Sequence, residues 1–139
     1  MKEQDILNIL YKLSLKAYKK SEVPVSALII KENKIISKAY NKKNICNNSL
    51  YHAEIICLMK AFKKLKTWNL KDCIMYVTLE PCDMCKELIQ ESRINKVFYI
   101  NSKGLITNKY KKTQYEQMFV CKNIKYSNLL KKFFKKIRN

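Results

Sequence analysis

Apolar side chains recur at helical spacing at Ile6, Leu10, Leu13 and Ala17, with lysines opposite, which predicts an amphipathic helix over residues 3–20. Pro24 stops any extension of it. Residues 25–31 and 34–40 are β-rich runs flanking Glu32-Asn33, the pattern of a hairpin. A polar loop over 41–51 leads into a second predicted helix, 52–66, with Ile55, Ile56, Met59 and Phe62 at mixed apolar spacing. Residues 74–79 form a continuous apolar run, short enough for a buried central strand. A third helix is expected over 81–92 and a fourth strand over 96–100. Residues 101–114 are polar and turn-rich, and a fifth strand is read at 117–122. The last helix, 126–138, carries Leu129, Leu130, Phe133, Phe134 and Ile137 on one side. The order α-β-β-α-β-α-β-β-α predicts an α/β sheet with helices on both faces. No repeat or linker divides the chain, so residues 1–139 read as one domain.

Composition narrows this picture. The 139 residues suit one core, and 47% are hydrophobic. No apolar run approaches the roughly 18 residues of a membrane span. The opening Met1-Lys2-Glu3-Gln4-Asp5 is too acidic and polar for a secretory signal, so a cytoplasmic location, or an organelle matrix, is expected. The net charge of +18 fits a nucleic-acid partner. Only Arg93 and Arg138 of the 29 basic residues are arginine, however, and Asn and Ile are frequent. That usage matches an AT-rich genome, so a solvated lysine surface is an equal reading of the charge. Cys46, Cys57, Cys73 and Cys121 show no paired spacing, and Cys57 and Cys73 read as small buried hydrophobes.

The chemistry concentrates in two short motifs. The only histidine lies in His52-Ala53-Glu54, and Pro81-Cys82-Asp83-Met84-Cys85 follows the predicted central strand. One imidazole and two thiolates offset the charge of a zinc ion and leave a fourth coordination position open, as in a catalytic site. Cys82 and Cys85, three apart, share a helical face. In a first helical turn they also gain free N–H groups and the positive end of the helix dipole, which favour thiolate. Pro81 is expected at the helix start, where its missing N–H costs nothing. His52 and Glu54, two apart, would diverge in mid-helix and can face one pocket only where a helix begins. Two helix N-termini are therefore expected to face one metal. Glu54 would carry protons between a zinc-activated water and a substrate, acting as base first and acid second. A closed structural zinc site, and Glu54 as a surface helix residue, are the plainer alternatives. Glu80 reads as a structural hydrogen-bonder.

The H-x-E…P-C-x-x-C order is the known signature of zinc nucleobase deaminases. Glu22-Val23-Pro24-Val25, Tyr76-Val77-Thr78-Leu79-Glu80-Pro81-Cys82, Ser92-Arg93-Ile94 and the closing Leu129-Leu130 with Phe133-Phe134 extend the likeness. From Glu22 onward the chain resembles that superfamily and, within it, the tRNA adenosine deaminases. The resemblance implies a cytidine-deaminase-like three-layer α-β-α sandwich whose five-stranded mixed sheet has the order 2-1-3-4-5. It implies one Zn2+ per chain on His52, Cys82 and Cys85, with Glu54 catalytic. The implied reaction converts adenosine to inosine at the wobble position of a tRNA anticodon loop, and the implied assembly is a homodimer. Asn41 matches the asparagine that hydrogen-bonds the flipped base, and its plainer reading is a turn residue. Val25 reads as an apolar pocket wall or a core valine. Phe134, with Phe133, reads as a stacking surface for RNA, although their helical spacing puts at least one of the two in the core. The lysines of the last helix track phosphates or solvate that helix.

Several positions depart from the family pattern. Ser26 stands where glycine is expected, Leu50-Tyr51 where a small pair is common, Lys86-Glu87 where small residues pack, and Ile100-Asn101 where a strand ends in Gly-Ala. These changes bear on substrate choice more than on the metal. Two rivals stay open: a deaminase of a free nucleoside or base such as cytidine or guanine, and a non-catalytic zinc-binding subunit of a heterodimeric tRNA deaminase.

Overall fold

The computed structural model describes residues 1–102, 113–118 and 124–138. Among them the elements follow the expected order: α1 (Glu3–Lys19), β1 (Ser26–Lys31), β2 (Lys34–Tyr40), α2 (Ala53–Leu65), β3 (Cys73–Leu79), α3 (Asp83–Glu91), β4 (Lys96–Asn101), β5 (Gln114–Gln117) and α4 (Ile124–Arg138). The five strands make one sheet in the order β2-β1-β3-β4-β5, as the resemblance implied. β1 runs antiparallel to β2 and β3, while β3, β4 and β5 are mutually parallel along the sheet. Glu32 and Asn33 both take positive φ, 49° and 63°. Two such residues make the tight turn whose twist matches the strands of a hairpin.

Strand alternation gives the sheet two buried faces. Leu28 and Ile30 of β1, with Ile100 of β4, join Leu10 of α1 and Tyr126 of α4 in one apolar cluster. Ala27 and Ile29, with Met75, Val77 and Val97, meet α2 and α3 in the other. The sheet is therefore the middle of three layers, and the two helix pairs lie on opposite faces.

The departures from the sequence reading are local. The fifth strand covers Gln114–Gln117, not 117–122, and residues 119–122 lie outside the described residues. Its Gln-Tyr-Glu-Gln sequence is polar because it is a short edge strand, paired on one side by β4. The apolar run that follows it drew the sequence reading too far along. Of the polar segment 101–114, residues 103–112 also lie outside the described residues, and its two ends belong to β4 and β5. Ile74, at the start of the central strand, and Met59 on α2 are exposed rather than buried. Cys57 and Cys73 are buried and free, as expected. Burial pushes the Cys57 thiol up to about 12, and a hydrogen bond with Ser37 only partly opposes this. Cys121 lies outside the described residues.

Leu10 anchors α1 to the sheet without any solvent exposure. Replacing Leu10 by Ala should cost about 2–5 kcal/mol, the range for a buried leucine whose cavity relaxes only partly. Urea denaturation measures this directly. A cost near zero would mean that α1 is not packed as described.

Candidate active site

One edge of the sheet collects the chemistry. β3 ends there at Leu79, and β2 ends there at Tyr40. Because β1 is antiparallel to both, its start at Ser26 lies at the same edge, paired with Tyr40. α2 and α3 begin at this edge, and their N-cap residues are His52 and Cys82, both with extended backbone. Open α/β sheets keep their sites at the carboxyl ends of parallel strands for this reason. The sequence reading needs two adjustments here. α3 starts at Asp83, so Pro81 precedes the cap and does not occupy the first helical position. Likewise α2 starts at Ala53, with His52 as its cap.

The cap positions bring three donor atoms together. His52 Nδ1 lies 3.7 Å from Cys82 Sγ and 3.5 Å from Cys85 Sγ. All three ligand atoms fall within 4.8 Å of one another. A tetrahedral zinc ion with its usual Zn–N and Zn–S bonds needs N···S separations of about 3.6 Å. The donors thus fit zinc in kind and in spacing, with Nδ1 as the ligating nitrogen. Among the described residues the cluster contains no fourth His, Cys, Asp or Glu donor, which leaves one coordination position for a small molecule. In the metal-free state the Cys85 thiol is pushed far above its ordinary range. Its hydrogen bond with Cys82 is the main cause, followed by burial and by the Glu54 carboxylate. Two thiols and a carboxylate packed this closely can all ionise only beside a cation.

Glu54, two residues into α2, is buried and turned toward the site: it interacts with Cys85 and lines the same cavity as His52 and Cys82. This cavity has a volume of about 220 Å3, and Val25, Asn41 and Lys43 contribute to its walls. It is smaller than typical small-molecule sites of about 300–1,000 Å3, which suits one planar ring system. Val25 is half-buried, lines the cavity and also packs against the α2/α3 core. Asn41 likewise does two things. Its Nδ2 donates to Val23 O at 3.3 Å and its Oδ1 accepts from Lys43 N at 3.0 Å. That leaves one N–H and one lone pair for a base edge. Phe134 is not brought to this cavity. It is 44% exposed on α4, in a separate wide groove with Asn101, Ser127 and Lys131, whereas Phe133 is the core residue of the pair.

Comparison with known proteins follows the same line. The MafB19-like deaminase family model matches residues 1–138. The chain belongs to this family. It is 43% identical over 136 residues to a tRNA-specific adenosine deaminase of Rickettsia bellii (strain RML369-C), covering 88% of this chain and 93% of that relative. The fold superposes with a TM-score of 0.75 on a chain solved in structural studies of A-to-I editing by tRNA:A34 deaminases at the wobble position of transfer RNA. That match is 24% identical and covers 83% of this chain and 98% of the other. A guanine deaminase from Bacillus subtilis superposes at 0.69 with 23% identity, covering 92% and 93%.

Several side chains that hold this deaminase site together escaped the sequence reading. Glu22 is fully buried and accepts from Asn44 N at 3.0 Å and Ile45 N at 2.8 Å, which ties down the 41–51 loop. Ser26, in place of an expected glycine, donates from Oγ to Leu10 O at 2.7 Å and sits 2.9 Å from Ser14 Oγ. Its hydroxyl thereby bonds β1 to α1. Lys86, in place of a small residue, is buried and donates to Glu80 Oε2 at 2.8 Å. It also lies 5.1 Å from the Tyr115 ring centroid, so the pair links the first turn of α3 to β5. Glu80 accepts from Ser102 Oγ at 3.2 Å as well, the structural role expected of it. Tyr51 is half-buried against the core, Glu87 is exposed, and Ile100 is buried between the sheet and α1. A buried acid or lysine has no sequence signal of its own; only its fold position gives it a partner.

The raised Cys85 thiol fixes the sign of one prediction. Zinc requires thiolate, so binding must displace a thiol proton, and affinity should fall as pH falls. Calorimetric titration of zinc into metal-free protein, in buffers of different ionisation enthalpy, counts the protons released. Zinc binding with no proton release would contradict thiolate ligation by this pair.

Proposed function

We propose that this chain hydrolytically deaminates adenosine to inosine at the wobble position of tRNA, as a homodimer in the cytoplasm. The observation that carries the proposal is a buried glutamate that interacts with a His-Cys-Cys donor set and lines one base-sized cavity with it. The name of the Rickettsia bellii relative supports adenosine in tRNA as the substrate. His52, Cys82 and Cys85 would hold the zinc, which supplies, when bound, a water acidic enough to react at neutral pH.

The protein's own residues account for the rest. Glu54 takes a proton from the attacking water and passes it to the ring nitrogen beside C6 of adenine. It then takes the remaining proton from the new C6 hydroxyl and delivers it to the exocyclic amine, so that the C6–N bond breaks as the C6–O bond becomes a carbonyl, and ammonia leaves. Burial in the first turn of α2 keeps the carboxylate in the cavity beside the metal donors. Asn41 offers its remaining donor and acceptor to the base edge, and Val25 closes the pocket with an apolar wall. The anticodon loop is single-stranded, so unstacking the target base costs less than in a duplex. Phe134 lies outside the pocket, so its part is to stack a flanking base of the loop.

The fold is shared with guanine deaminases, which keeps a free base as the competing substrate. Two assays on the same protein separate the readings: inosine mapping in tRNA, and ammonia release from free nucleosides and bases. Glu54→Gln should retain one zinc per chain and lose turnover on tRNA by about 100-fold or more, the usual scale for a positioned acid–base. Near-normal turnover in that variant, or activity confined to free bases, would overturn the proposal. Light scattering reports the dimer.

A further inference from the structure

Residues 6–21, 33–53 and 117–139 contain no Asp or Glu, and neither do residues 55–71 and 92–115. Five of the 11 acidic residues lie instead between Asp72 and Glu91. The fold brings parts of the first three stretches together. α1 and α4 lie together on one face of the sheet, and Asn41 and Lys43 of the 41–51 loop line the cavity.

On this surface tyrosine rings hold lysines in a row. Lys125 Nζ lies 5.1 Å from the Tyr11 ring centroid. Lys132 and Lys136 each lie 5.6 Å from that of Tyr18. Lys20 donates to the Tyr40 hydroxyl at 2.8 Å, and Lys42 sits 5.0 Å from the same ring. Tyr11 and Tyr18 are seven apart on α1, as are Lys125 and Lys132 on α4, so the helices run parallel with contacts matched over about 10.5 Å. Tyr40 immediately precedes Asn41, and Lys43 lines the cavity. The row thus leads from the α1–α4 seam to the mouth of the proposed base pocket. Among the described residues the ion pairs are Lys86–Glu80 and Lys96–Glu116, and neither draws on this row.

We infer that this row is a phosphate track for the RNA helix flanking the target loop; the inference rests on the RNA reading of the cavity. Tyr11, Tyr18 and Tyr40 are half-buried under lysines, so bases cannot stack on them. The exposed groups are ammonium ions, which meet phosphates and position a nucleic acid without reading its sequence. Contact with a ring restrains each long side chain before binding and reduces the entropy lost on contact.

The test compares Lys20→Gln/Lys132→Gln/Lys136→Gln with a charge-matched control, Lys63→Gln/Lys64→Gln/Lys66→Gln, at and just beyond the end of α2 on the opposite face. Binding of a full tRNA with a wobble adenosine is measured between 50 and 200 mM salt (roughly the range over which phosphate contacts dominate). The seam variant should bind about 10–100-fold more weakly, and its slope of log K against log salt should shrink by about 2–3, for three lost phosphate contacts. The control should match the parent, and binding of the isolated loop oligonucleotide should be much less affected than that of full tRNA. An unchanged slope in the seam variant, an equal loss in the control, or an equal loss on the loop alone would overturn the inference. A parent protein that binds tRNA with the steep slope, loses it in the seam variant, yet makes no inosine would sink the proposed activity and uphold the track.

Discussion

The structure depends on one convergence: two helices that start at the same sheet edge, each capped by a potential metal ligand. His52 caps α2 and Cys82 caps α3, thirty positions apart in the chain. The parallel pairing of β3 with β4 and the antiparallel return of β1 give the two helices a common face and starting edge. Thiols this close to a buried carboxylate repel it and one another once ionised, so the cluster is electrostatically unfavourable without a cation and favourable with one. Metal binding and the integrity of this edge are therefore coupled.

The surroundings of the cluster are built to hold that edge still. Glu22 clamps the loop leading to His52 through two backbone N–H groups, and Ser26 bonds the start of β1 to α1. The Glu80–Lys86 pair spans the turn on which Cys82 and Cys85 sit. Positioning on this scale matters because a proton carrier works only within hydrogen-bond reach of its partners. The same rigidity has a cost in polar burial: Glu22, Glu80 and Lys86 are buried charged groups that need their partners to be tolerated.

Periodicity revealed most of the fold. The helical spacing of Ile6, Leu10 and Leu13 follows from side chains that must face one core, and the unbroken burial of β1 from a strand covered on both faces. Strand order was not legible that way, because pairing joins residues far apart in sequence; it came from family resemblance. Residues 117–122 misled because an apolar run looks more strand-like than a polar edge strand, and Ile74 because apolar composition does not show which end of a strand meets solvent. In the site, the His-Cys-Cys cluster and the buried Glu54 beside it were legible because the chemistry proposed for them demands particular residue types at particular spacings. Glu22 and Lys86 were not, because a charge acquires a buried partner only through tertiary contact. Asn41 had two readings, turn and base contact, and the geometry accommodates both.

The central claim is that three protein donors hold one zinc and leave a coordination position open to water. X-ray absorption at the zinc edge of the loaded protein tests it most directly. The account predicts two sulfur atoms at about 2.3 Å and two lighter atoms at about 2.0–2.1 Å, one of them the His52 nitrogen and the other exchangeable. Three or more sulfur ligands, or zinc held without both Cys82 and Cys85, would contradict it.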